Sequence, residues 1–140
     1  KEHKIDVTLI ADNTDGNMMK EGKISMIFAG ADRVAANGDT ANKIGTFNLA
    51  LLSYYHKIPF YIVAPSSTFD LSLKSGNGIP IEHRKPEEVT HLQSKKIAHS
   101  QVKVYNPAFD VTLHKLIRAF VTEKGLIKPP FAKNIPNVLR

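Results

Sequence analysis

The chain has 140 residues, of which 42% are hydrophobic, and this is enough for one domain with its own core. It contains no cysteine, which excludes disulfides, thiolate metal sites and a cysteine nucleophile within these residues. Its net charge of +6 is spread along the chain without a long basic run, and no apolar stretch reaches the length of a transmembrane helix, so neither nucleic acid nor a membrane is an expected partner.

Three short apolar runs in the first half of the chain predict β-strands, at Ile5 to Ala11, Ile24 to Ala29 and Phe60 to Ala64. Nearly continuous apolar runs are typical of parallel strands that are covered on both faces. A short helix is predicted around 17–21, and a longer one from about 40 to 56 because apolar residues recur there at helical spacing. The alternation of strand and helix predicts an α/β fold with a doubly wound, mostly parallel sheet.

The second half of the chain is less regular. Val102 to Tyr105 is a candidate strand, and Thr112 is a candidate cap for a helix that runs to about Lys124. The C-terminal stretch holds three of the eight prolines, at positions 129, 130 and 136, and is expected to be extended. The predicted organisation is therefore a domain over 1–127 followed by an extended tail over 128–140.

The segment GADRVAANGDTANKIGT at 30–46 carries the densest group of polar side chains between a predicted strand and a predicted helix. Ligands of open α/β sheets bind at the carboxyl ends of the strands, and a helix N-terminus there favours an anion. Asp32 lies where a carboxyl group beside an apolar wall could hold and donate a proton. Asn42 and Lys43, expected in the first helical turn, could bind an anionic substrate. These three residues are the candidate site.

A purely structural interpretation of the same segment remains open at this point. Asp32 could pair with Arg33, Asp39 or Thr40 could cap the helix, and Lys43 could face solvent. Neither a Walker motif nor a GxGxxG motif is present, and the six histidines lack metal-binding spacing, so no metal site is expected. The segment YNPAFD at 105–110 is expected to form turns, with Asp110 anchoring a loop.

Four ordered blocks nevertheless carry a specific resemblance: the segment at 30–46, IPFYIVAPSSTFD at 58–70, IPIEHRKPEEVTH at 79–91 and VYNPAFDVT at 104–112. Over about 5–127 the chain resembles the methylthioribose-1-phosphate isomerase family. The superfamily also contains ribose-1,5-bisphosphate isomerase and the regulatory alpha, beta and delta subunits of translation initiation factor two-B.

The resemblance implies a Rossmann-like C-terminal domain, a helical N-terminal domain and a homodimer. It implies an isomerase of methionine salvage, a route of methionine biosynthesis, which converts 5-methylthioribose 1-phosphate to 5-methylthioribulose 1-phosphate without a metal or organic cofactor. The implied location is the cytoplasm, with the nucleus as a second location in a eukaryote. By position in the motif, Asp32 is the proton donor, and Asn42 and Lys43 bind the sugar phosphate.

One departure from the family pattern shapes the expectation for this chain. The family uses a catalytic cysteine and phosphate-binding arginines that lie upstream of the matched region, and neither is found here. We therefore expect the C-terminal portion of a longer enzyme, inactive alone, whose sheet is incomplete on its N-terminal side and whose partner is the N-terminal portion of the same enzyme. A non-catalytic initiation-factor-type subunit and a ribose-1,5-bisphosphate isomerase remain alternatives, although the order GAD…ANK favours an enzyme.

Overall fold

The computed structural model describes residues 5–99 and 101–139. Short helices and strands alternate along them, and in chain order these are α1 (Asp15–Lys20), β1 (Ile27–Ala29), β2 (Arg33–Ala35), β3 (Thr40–Lys43), α2 (Thr46–Tyr55), β4 (Phe60–Val63), β5 (Phe69–Asp70), α3 (Glu87–Thr90), β6 (His91–Leu92), β7 (Lys95–Lys96), β8 (Phe109–Thr112), β9 (Ala119–Thr122), β10 (Gly125–Ile127) and α4 (Phe131–Leu139). Most of them belong to two four-stranded sheets and the layer of helices around them.

The principal sheet has the strand order β1-β4-β9-β10. Strands β1, β4 and β9 are parallel, and β10 returns antiparallel to β9 at the edge. One face of the sheet is buried, since Phe60, Ile62, Phe120 and Ile127 share that face in the strand register and are at most 1% exposed. On the opposite face Phe28, Val63 and Leu126 are 47–58% exposed. The predicted α/β class with a mostly parallel principal sheet is confirmed, as are the predicted strands that became β1 and β4 and the short helix that became α1.

The core lies between this sheet and the helices. Phe120 is at its centre, with its ring centroid 4.8 Å from that of Phe131 and 5.4 Å from that of Phe69. Ala50 of α2 and Met19 of α1 are buried in the same cluster. Burying a side chain as large as phenylalanine contributes roughly 1.5–3 kcal/mol, so this cluster is the main source of stability for the scaffold.

A second sheet has the order β5-β2-β3-β8 and is mostly antiparallel, with β2 parallel only to β5. The prediction of a helix starting near 40 is wrong, because Thr40 and Ala41 are fully buried in β3 and pair with β8. The helix begins only at Thr46, after Gly45 adopts φ 103° in the left-handed region. That backbone conformation ends the strand and turns the chain into α2.

Two further predictions in the second half of the chain are wrong. Residues 112–124 do not form a helix, since they complete β8, make one 3₁₀ turn and continue into β9. Val102 and Tyr105 lie outside any strand, and both side chains are more than half exposed. Gly125, directly after the predicted helix, starts β10 with φ 129°.

The predicted extended tail at 128–140 is also wrong for the described residues 131–139, which form α4. Phe131 and Ile135 are four positions apart and therefore lie on one helical face, where both are buried in the core. Burial of that face outweighs the cost of Pro136 inside the helix.

The expected strand at Ile5 to Ala11 is absent as well, since this stretch has no regular secondary structure and no strand partner among the described residues. Ile5, Val7 and Leu9 are 67%, 80% and 97% exposed. Strand β1 is an edge strand whose second edge has no partner among the described residues. The described part of the chain thus has both an exposed apolar segment upstream of α1 and an open strand edge.

Candidate active site

The loops that follow β1 and β4 meet at one edge of the principal sheet because the two strands are parallel. Asp32 lies in the first of these loops, directly before β2, and its side chain is exposed. The backbone N–H of Asp32 donates to the carbonyl of Ala41 at 2.9 Å. This bond places the peptide of Asp32 next to β3, one residue away from Asn42.

Asn42 and Lys43 form the end of β3 rather than the first turn of α2, so that part of the prediction is wrong. Asn42 is half-buried, and its Oδ1 lies beside Gly30, directly after β1, where an added Cβ atom would be 3.9 Å from it. The Nδ2 of Asn42 donates to Oγ1 of Thr46 at 3.0 Å, and the Thr46 hydroxyl donates to the carbonyl of Lys43 at 2.7 Å. The hairpin of β2 and β3 therefore places Asp32, directly before β2, beside Asn42 and Lys43 at the end of β3.

The sequence predicts that the N-terminus of α2 is open to an anion, and this prediction is wrong. Asp110 accepts a hydrogen bond from the N–H of Gly45 at its Oδ2, at 2.7 Å, and from the N–H of Phe47 at its Oδ1, at 3.0 Å. The expectation that Asp110 anchors a loop is confirmed by these bonds. A carboxylate at a helix N-terminus is favourable for the helix and repels a second anion there.

Asp39 does not cap α2, so that part of the structural interpretation is wrong. Its carboxylate is instead buried and accepts several hydrogen bonds. Its Oδ2 accepts from Nδ2 of Asn37 at 2.8 Å and from the N–H of Gly76 at 3.1 Å. Its Oδ1 accepts from the N–H of His114 at 2.9 Å and faces His114 Nδ1 at 2.7 Å. Burial acts to raise the pKa of Asp39, but these hydrogen bonds together outweigh it and hold the pKa below the usual aspartate range.

The other structural alternatives are resolved by the contacts of the charged groups. Arg33 pairs with Asp70, with Nη1 and Oδ2 3.5 Å apart, rather than with Asp32. Lys43 is exposed and lines an open groove of about 900 Å³ between residues 10–16 and the first half of α2. Its ammonium group is therefore accessible to a ligand as well as to solvent.

The sequence predicts three candidate site residues but does not predict the contacts of Thr46 and Asp39. The available signal was the threonine directly after Gly45, a residue type whose hydroxyl bonds local backbone at helix starts. In the part of the chain that the structure describes, no three histidine or carboxylate side chains converge in a way that could hold a metal ion. Over the same residues, no helix has the length and apolar character needed to cross a bilayer.

Comparison with curated proteins finds several relatives that carry the same name. Methylthioribose-1-phosphate isomerase from Thermosipho africanus is 59% identical over 131 residues, which is 94% of this chain and 38% of that protein. The protein of the same name from Fervidobacterium nodosum is 58% identical over 130 residues, 93% of this chain and 37% of its own length. The chain thus spans less than two-fifths of these curated relatives.

Solved structures agree with the sequence matches. The crystal structure of 5-methylthioribose 1-phosphate isomerase from Pyrococcus horikoshii is similar with a TM-score of 0.91 and 50% identity, covering 96% of this chain and 38% of that one. The structure of translation initiation factor eIF-2B, subunit delta, from A. fulgidus has a TM-score of 0.91 and 42% identity, covering 99% and 40%. Residues 1–129 also match the sequence pattern of one protein family, and on this evidence the chain belongs to the Initiation factor 2 subunit family.

Proposed function

We propose that this chain is the C-terminal portion of a methylthioribose-1-phosphate isomerase, an aldose–ketose isomerase that converts 5-methylthioribose 1-phosphate to 5-methylthioribulose 1-phosphate in methionine salvage. The observation that carries the proposal is the 56–59% identity to proteins of that name over at least 93% of the chain. The adjacency of Asp32, Asn42 and Lys43 at the ligand edge of the sheet supports it.

Each of the three residues has a distinct proposed role. The reaction moves a hydrogen between C1 and C2 of the sugar, and proton transfers at the sugar oxygens accompany it. Asp32 is the proton donor, since its carboxyl group lies at the carboxyl end of β1 and is open to a substrate. The Asn42 amide and the Lys43 ammonium bind the sugar phosphate, because both lie at the end of β3 beside the same loop.

The proposed partner of this chain is the N-terminal portion of the same enzyme, which would supply the catalytic cysteine and phosphate-binding arginines. The open edge of β1, with Met26 and Phe28 50% and 58% exposed, is where that portion would extend the sheet. It would also cover Asp32 and exclude water, so that the acid keeps its proton until it is used. We further propose that the complete enzyme is a homodimer. Its proposed location is the cytoplasm, and in a eukaryote also the nucleus.

The test uses the complete enzyme, in which this chain is joined to its N-terminal portion, with purified 5-methylthioribose 1-phosphate. Asp32→Asn should abolish turnover while the thermal midpoint stays near that of the parent. Lys43→Ala should chiefly raise KM. Asp6→Asn and Lys20→Ala, the same substitutions at exposed positions outside the groove that Lys43 lines, are the matched controls. Near-normal kcat in Asp32→Asn would contradict its role, and an unchanged KM in Lys43→Ala would show that Lys43 only faces solvent.

A second candidate function is a non-catalytic regulatory subunit, favoured by the similarity to the A. fulgidus structure named for eIF-2B subunit delta. A third is isomerisation of ribose 1,5-bisphosphate by the same residues. Assaying the complete enzyme with each sugar phosphate separates the three. Turnover of neither substrate would favour the regulatory subunit, and preference for the bisphosphate would favour the third.

A further inference from the structure

We propose that Asp110 is a positioning residue for the proposed site: its carboxylate fixes the turn between β3 and α2 and so holds Asn42 and Lys43 in the orientation that the substrate requires. The catalytic half of this inference rests on the proposed function. The structural half concerns the turn alone and can be measured without substrate.

The start of α2 depends on Asp110 because its own N-cap residue has no side chain. Gly45 adopts φ 103° and cannot supply the side-chain acceptor that a helix start ordinarily uses. Asp110 of β8, 65 residues further along the chain, supplies it instead through both oxygens, to the N–H groups of Gly45 and Phe47. Thr46 lies between these two residues, so the same carboxylate fixes the backbone on both sides of it.

Thr46 transmits this constraint to the site. Its side chain is buried, and its hydroxyl accepts from Nδ2 of Asn42 at 3.0 Å and donates to the carbonyl of Lys43 at 2.7 Å. The strand register places Asn42 directly opposite Asp110 on β8, which brings the two side chains to the same face of the sheet. If the start of α2 shifted, the hydroxyl that orients the Asn42 amide would shift with it.

The charge of Asp110 also constrains how the substrate binds. A carboxylate already occupies the N–H groups at this helix start, and it would repel a phosphate placed there. The phosphate of the substrate must therefore be held away from the N-terminus of α2. The task left to this turn is to aim Asn42 and Lys43 rather than to bind the phosphate through the helix.

The experiment compares Asp110→Asn, Asp110→Glu and Ser53→Ala in the complete enzyme. The asparagine keeps one acceptor oxygen and loses the other, so one of the two N–H groups is left without its partner. Ser53 is fully buried near the opposite end of α2, roughly 10 Å along the helix, where its hydroxyl donates to the carbonyl of Ile58. Ser53→Ala therefore weakens the same helix at its C-terminal end, away from Asp110, and serves as the matched control.

We expect Asp110→Asn to raise KM about tenfold with a smaller effect on kcat. Asp110→Glu should bring KM part of the way back to the parent value. Ser53→Ala should lower the thermal midpoint but leave KM unchanged. Equal KM values for Asp110→Asn and the parent enzyme, or an equal rise in Ser53→Ala, would overturn the positioning role.

Hydrogen exchange read by mass spectrometry gives the measurement that does not depend on activity. Asp110→Asn should speed exchange in peptides that cover 42–47, and Ser53→Ala should not. If the parent enzyme turns over neither sugar phosphate, the proposed function fails together with the catalytic half of this inference, while faster exchange at 42–47 still supports the structural half. Unchanged exchange there in Asp110→Asn would overturn the inference whatever the activity.

Discussion

Replacing Asp39 with asparagine should destabilise the protein strongly, although this residue lies outside the proposed site. Asp39 is 6% exposed, and its carboxylate accepts hydrogen bonds from Asn37, from Gly76 and from the backbone N–H of His114, and also contacts Nδ1 of the His114 ring. An asparagine keeps one acceptor oxygen and turns an NH₂ group toward the remaining donors, so about two hydrogen bonds are lost. Hydrogen bonds to a charged group contribute about 1.5–3 kcal/mol each, which gives an expected loss of roughly 3–6 kcal/mol.

The assay is thermal unfolding of the complete enzyme, with Asp12→Asn as the exposed control for the same chemical change. For a protein as long as the curated relatives, a loss of about 3 kcal/mol corresponds to a drop of roughly 4 °C in the midpoint. Hydrogen exchange at the amides of Gly76 and His114 should rise only in Asp39→Asn, because those amides donate to the lost carboxylate.

The stability that Asp39 contributes should decrease as the pH is lowered. The folded state lowers the pKa of Asp39 below its ordinary value of 3.8, so its ionised form is the one that folding favours. This stabilisation is fully present above pH 3.8 and is lost as the pH falls through the folded pKa. The difference in midpoint between parent and Asp39→Asn should therefore hold from pH 7 to about 5 and shrink below about 4. Equal midpoints for Asp39→Asn and Asp12→Asn at pH 7, or a gap that widens in acid, would refute this reasoning.

Two glycines should respond to alanine with opposite signs. A Cβ atom at Gly76 would lie 2.5 Å from Cγ1 of Val111, so Gly76→Ala should cost about 1–3 kcal/mol in urea unfolding; an unchanged midpoint would show that the loop can move aside. A Cβ atom at Gly16 in α1 meets only ordinary contacts, the nearest at 3.5 Å, so Gly16→Ala should gain up to about 1 kcal/mol through helix propensity. A loss of stability would show that the contact with Leu52 is too tight for a methyl group.

The parts of the fold that could be predicted from the sequence are those whose signals are local. The apolar runs at β1 and β4 are visible in composition alone, although within the described chain only one face of these strands is buried. The start of α2 could not be predicted in the same way, because Ile44 and Phe47 continue the helical spacing back toward Thr40. Pairing of 40–43 with β8, nearly 70 residues away, overrides that local pattern.

The candidate site shows the same division. Asp32, Asn42 and Lys43 could be selected from their residue types and their place after a strand. The contacts that hold them could not, since Asp110 reaches the start of α2 from 65 residues away. The helix in the tail could not be predicted for a related reason. Its prolines disfavour a helix in the local sequence, whereas burial of one apolar face stabilises α4.

The open edge of β1 determines how these 140 residues would behave if they were produced alone. An unpaired strand edge offers a template for another strand, and natural proteins protect such edges with charges, prolines or coverage. Here the exposed apolar side chains of Met26 and Phe28 flank that edge, and Ile5, Val7 and Leu9 lie exposed upstream. The isolated chain should therefore self-associate through edge pairing. Its light-scattering mass would report that pairing, so the native oligomeric state has to be measured on the complete enzyme.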